Sequence, residues 1–136
     1  MRLCDFCFVS AALAALIGMA LGIQMGMAED FTLSPAHAHL NLLGWVTMAL
    51  MGLYYRGSAA AHWRLARVQV ALGATGFWVM PLGLGAYLGT GDTSFVPVVI
   101  AGSVLALLAM LLFAAIVVTE VRARAMPPLA LHPHSG

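Results

Sequence analysis

The apolar positions fall in four long runs separated by short polar breaks. The runs cover about Phe6 to Met27, Pro35 to Tyr55, Leu65 to Leu88 and Phe95 to Val121. Each reaches the roughly 20 mostly apolar residues that cross a bilayer as a helix. Backbone that faces lipid must satisfy its own hydrogen bonds, and the runs are far too long for barrel strands. All four are therefore expected to be α-helices. The predicted fold is an all-α membrane protein with four transmembrane helices in residues 1–125. The Pro/His-containing tail, 126–136, is expected to be disordered.

Small residues interrupt the runs at helical spacing. Gly18, Gly22 and Gly26 form a ridge on the first, where another helix backbone can approach closely. A cleaved signal peptide is the competing reading of this run, with Gly26-Met27-Ala28 as the cleavage site. The run is longer than a usual signal core and carries a packing ridge, so it is read as a retained span. Gly73, Gly76, Gly83, Gly85 and Gly89 line the third run, where Pro81 is expected to introduce a kink. Gly102 does similar work in the fourth. These residues predict tight helix packing and identify no function.

Composition agrees with the pattern. Of 136 residues, 62% are hydrophobic and 8% charged, and lysine is absent. Soluble domains carry about 25% charged residues, so a soluble globular fold is excluded, and so is a disordered chain. The net charge of +1 leaves no basic footprint for nucleic acid. The six arginines all fall on one side of the predicted topology. Arg2 precedes the first span, Arg56, Arg64 and Arg67 lie between the second and third, and Arg122 and Arg124 follow the fourth. The other two loops carry only Glu29, Asp30 and Asp92. The positive-inside rule then places both termini in the cytoplasm of a bacterial inner membrane, with the acidic loops in the periplasm.

Chemistry concentrates in the second span, within Ser34-Pro35-Ala36-His37-Ala38-His39-Leu40-Asn41-Leu42-Leu43-Gly44-Trp45. Ser34 reads as an N-cap and Pro35 as the first helical residue. At about 100° per residue, His37 and His39 point about 200° apart. They cannot share one ion from a regular helix, but they can serve two sites. Asn41, Trp45 and Met48 follow His37 at helical spacing, and Leu42, Leu43 and Val46 follow His39. Polar side chains facing lipid are costly, so both faces are expected to be covered by protein. Solvation at the headgroup level accounts for a lone histidine near a helix end. Two histidines, an asparagine and a tryptophan so close together point instead to imidazole ligation of haem iron or copper.

This stretch resembles a known family. His39-Leu40-Asn41-Leu42-Leu43-Gly44-Trp45, with Gly52, Tyr54 and Tyr55 beyond it, is similar to the second helix of the catalytic subunit of haem-copper oxidases. The nitric-oxide reductase branch is the nearest in likeness. The resemblance implies that His39 is the axial ligand of a low-spin haem b. His37-Ala38-His39 also resembles another helix of that family, where two histidines around one residue ligate different haems on opposite faces. The implied cofactor-binding set is His37, His39, Asn41 and Trp45, with His37 and His39 as metal ligands. The cofactor is haem b, with copper as the alternative.

The chain departs from the family in length. The catalytic subunit is about three times longer, with twelve spans arranged as three four-helix arcs, and this chain resembles one arc. A homotrimer would imitate the full subunit, with His37 of one protomer and His39 of the next holding a haem between them. A dimer sharing one haem is the runner-up. The copper-site histidine cluster is missing from a single copy, so oxidoreductase turnover is left open. Electron transfer with a redox partner or quinol, and binding of nitric oxide or oxygen, both remain open. Further alternatives are an accessory subunit of a respiratory complex and, least supported, a small transporter.

The remaining candidates are read plainly. Cys4 and Cys7 form a Cys-x-x-Cys, taken as ordinary membrane-edge cysteines beside a redox or haem-delivery alternative. His62 is placed in a loop, and His132 and His134 in the tail. Glu120, at a helix end, reads as a surface residue. Gln24, Thr47, Gln69 and Thr75 read as scattered, mild polar positions.

Overall fold

The computed structural model describes residues 2–125, and among these every regular element is helical. The tail, with His132 and His134, lies outside the described residues. Helix α1 spans Leu3–Ala28. It closes on Glu29, which adopts a left-handed conformation at φ 53°, while the Asp30 N–H reaches back to the Met25 carbonyl at 3.2 Å. Asp30 then accepts from the Thr32 hydroxyl and amide at 2.6 and 3.0 Å.

The second apolar run forms a rod of three segments. These are α2 (Ser34–His39), a π-helical segment (Leu40–Thr47) and α3 (Met48–Gly57). Residues at both seams keep right-handed helical torsions: His39 (−65°, −40°), Leu40 (−61°, −42°), Thr47 (−64°, −43°) and Met48 (−64°, −38°). The axis is therefore unbroken. The rod begins one residue earlier than the capping pattern suggested. Leu33 holds the cap position without a side-chain bond, and Ser34 is already helical.

A 3-10 turn at Ala59–His62 leads to α4 (Arg64–Thr90), which runs through Pro81 without ending. Gly91, at φ 71°, caps it. A second 3-10 turn at Thr93–Phe95, with Asp92 accepting from the Ser94 amide at 2.8 Å, opens α5 (Val96–Ala125). Helices α1, α4 and α5 are each long and apolar enough to cross a membrane. The four helical stretches match the four predicted runs to within a few residues.

Close backbone approach organises the packing. The α4–α5 contact is the most extensive. A Cβ on Gly102 would lie 2.5 Å from the Met80 nitrogen, and one on Gly76 would lie 2.6 Å from the Ala106 nitrogen. Helix α1 lies along the rod, where Gly52 admits Cys7 and Gly44 admits Ala14. Phe77, Met48, Met51, Ile116 and Val70 are almost wholly enclosed at the centre. The outer surface carries Leu16, Ile23, Leu107 and Leu111, each roughly 60% exposed or more. Apolar surface on this scale is what a lipid-facing exterior requires.

Candidate functional site

The site is built from α1 and the rod. His37 is half-buried against α1, and its Nδ1 lies 3.0 Å from the Gly18 carbonyl oxygen. Gly22 leaves room for the ring, since a Cβ there would lie 3.0 Å from His37 Cε1. Asn41 fills the space beside Gly18, where a Cβ would fall 2.6 Å from either amide heteroatom. Its Nδ2 donates to the His37 carbonyl at 2.9 Å and sits 3.4–3.5 Å from the His37 ring nitrogens. Two of the three glycines on the α1 ridge therefore make space for polar side chains. Gly26, the third, faces nothing within 4 Å.

His39 points the other way and is exposed. Its Nδ1 lies 2.7 Å from the Pro35 carbonyl oxygen, one helical turn earlier. A carbonyl oxygen only accepts, so in both histidines Nδ1 carries the hydrogen and Nε2 keeps the lone pair in the neutral ring. Metal-ligating histidines use the same arrangement, with one nitrogen anchored on a backbone carbonyl and the other presented to the metal. The expected opposition of His37 and His39 is observed. Within one chain protein covers the His37 face and leaves the His39 face exposed.

Trp45 does not share the covered face with His37 and Asn41. An α-helical repeat groups it with His37 and Asn41, but it is 42% exposed on the outside of the rod. The buried positions are Ala36, Leu40, Gly44 and Met48, four residues apart. In an α-helix a four-residue step overshoots one turn by about 40°, and three such steps would carry the row out of the core. The π-helical turn closes one residue later, which keeps this row inward, while Trp45 stands exposed with Leu42 and Val46. Asn41 and Thr47 support the change of step. The Thr47 hydroxyl donates to the Leu42 carbonyl at 2.7 Å, five residues back.

A second polar centre lies at the arginine-bearing end. Glu120 is 4% exposed rather than a surface residue. It accepts from the Tyr54 and Ser58 hydroxyls, from the Ala59 amide at 3.1 Å and from Arg124 at 2.6 Å. Beside it Tyr55 donates to Gln69 Oε1 at 2.8 Å, and Gln69 is wholly buried against Met51. The helix-end position hid Glu120, because its partners Tyr54, Ser58 and Ala59 come from a distant part of the chain. Tyr54-Tyr55 and Ser58, one and two turns along the rod from Met51, were the available signal. Cys4 and Cys7 are buried and free, and His62 is exposed. Among the described residues no three His, Cys, Asp or Glu side chains converge as a metal cluster.

No protein-family model, curated protein or solved structure matches the chain.

Proposed function

We infer that the chain is a four-span membrane protein that binds haem b through His39, on a surface shared with another copy. Its roles are electron transfer or the binding of a diatomic gas such as nitric oxide or oxygen. The observation carrying this reading is the His39 ring, anchored at Nδ1 on the Pro35 carbonyl and exposed on an apolar face. Haem iron held there would supply one-electron redox chemistry or, with one axial position open, gas binding. The donor set fits, since the imidazole is oriented, neutral ligation is available at Nε2, and Leu42 and Val46 give an apolar setting.

Among the described residues, one chain offers one outward imidazole on this face. A second axial ligand must come from another copy. Two His39 rings from a dimer meet that need as they stand. The trimeric pairing of His37 with His39 needs the half-buried His37 ring to leave its place against Gly22 of α1, so the dimer takes first place here. The same outward ring suits copper only where several chains converge.

The test is an absorption spectrum of the purified protein in detergent, oxidised and then reduced. A b-type spectrum is expected, lost in His39→Ala. One haem per two chains indicates the dimer, and one per chain the trimer. A colourless preparation, or a His39→Ala variant with an unchanged spectrum, rejects haem ligation at this residue.

A further inference from the structure

The end of the bundle opposite His37 and His39 carries a cleft of about 520 Å³, between the start of α1, the end of α3 and the start of α4. Arg2, Arg56, Arg67 and His62 line it together with Leu3 and Phe6. The cationic side chains are not equivalent. Arg2 is committed to Asp5, with Nη2 3.0 Å from Oδ1. Arg56 and Arg67 have no carboxylate partner among the described residues. Glu120, which accepts from Ser58 of the cleft wall, is paired instead with Arg124 at 2.6 Å and does not line the cleft. The cleft thus keeps two uncompensated guanidinium groups beside an apolar wall.

We propose that this cleft binds the phosphodiester headgroup of an anionic phospholipid, with Arg56 and Arg67 holding the phosphate and Leu3 and Phe6 meeting the start of the chains. Guanidinium forks match phosphate oxygens in bidentate geometry. Basic pockets between helices at a membrane face are suited to such headgroups. Orientation by the positive-inside rule needs only arginines in the loops. It does not require two of them to stand in one cleft without acids. A soluble phosphate would use the same guanidinium groups but would gain nothing from the apolar wall.

Native mass spectrometry of the detergent-purified protein, with phosphatidylglycerol or phosphatidylcholine added in equal amounts, tests the proposal. The unaltered chain is expected to retain phosphatidylglycerol roughly tenfold better. Arg56→Gln/Arg67→Gln is expected to lose that preference. Arg64→Gln/Arg122→Gln removes the same charge outside the cleft and is expected to keep it. Equal retention of both lipids by the unaltered chain overturns the proposal, and so does equal loss in the two double variants. Displacement of phosphatidylglycerol by millimolar inorganic phosphate assigns the cleft to a soluble anion and also overturns it. The lipid preference of the unaltered chain is read without any variant, so poor folding of a variant leaves the test intact. The measurement is independent of haem content.

Discussion

Two histidines separated by one alanine have different tasks because their rings meet different carbonyls. His37 reaches across to Gly18 of α1, and His39 reaches back along its own helix to Pro35. His37 is therefore part of the packing between helices, and His39 is free to meet something outside the chain. His37→Ala is expected to loosen the α1–rod contact and lower the melting temperature. His39→Ala should leave that temperature nearly unchanged. Differential scanning fluorimetry in detergent reads both, and an equal loss would contradict the division. Glu120 is the second residue whose surroundings set its role. Glu120→Ala strands the Tyr54 and Ser58 hydroxyls, while the exposed Arg124 turns to water. Unpaired buried groups cost about 1–3 kcal/mol each, so a large drop in melting temperature is expected. Glu120→Gln keeps an acceptor and should lose less. An alanine variant as stable as the parent would show that the network contributes nothing.

At the scale of elements, the π-helical segment keeps the row Ala36, Leu40, Gly44 and Met48 inward. Trp45 reads the outer face of the rod once Trp63 and Trp78 are replaced by phenylalanine. Brominated lipids should quench its fluorescence strongly, since the indole is 42% exposed on that face. Protection from quenching would mean that this face is covered by protein. The glycines make a parallel case. Gly102→Ala drives a Cβ into Met80 backbone 2.5 Å away, where nothing flexible can move aside, and should separate α4 from α5 at a cost of about 1–3 kcal/mol or more. Gly26→Ala meets open space and should stabilise α1 by about 0.5–1 kcal/mol. Thermal melts of the pair should move in opposite directions. At the loops, hydrogen bonds from Thr32 hold Asp30 below the usual carboxylate range, and bonds from Ser94 do the same for Asp92. Their contribution is present at neutral pH and is lost as pH falls through those lowered values. Protection of the Thr32 and Ser94 amides, corrected for the pH dependence of intrinsic exchange, should therefore fall only in acid. Corrected protection that is flat from neutral pH down through the carboxylate range would remove these caps from the account.

The whole molecule places its polar chemistry at two opposite ends of an apolar body. The histidine site lies where α1 ends and the rod begins. The arginines, the Glu120 network and the cleft lie where α1 and α4 start and α3 and α5 end. If all four stretches cross the membrane, single cysteines at Asp30 and Asp92 label from one side with an impermeant maleimide. Cysteines at Arg64 and Arg122 label from the other. Labelling of all four from the same side would reject the four-span topology.

Much of this was legible in the sequence, for reasons that can be named. Four helices follow from run length, because spanning lipid requires an internally bonded backbone. The arginine asymmetry follows from loop position alone. The opposition of His37 and His39 follows from two residues of helical rotation, which no packing can undo. Other features depend on distant chain. The inward row Ala36, Leu40, Gly44 and Met48 rests on a helix that widens where α1 lies against it. The burial of Glu120 rests on a hydrogen-bond set drawn from Tyr54, Ser58 and Ala59, more than sixty residues earlier in the chain. The convergence of Arg56 and Arg67 in one cleft rests on how α3, the turn and α4 fold back on α1. Local periodicity by itself determined the elements and the facing of neighbouring residues. Only the tertiary structure decided which face each element buries, because that choice is made by the surface packed against it.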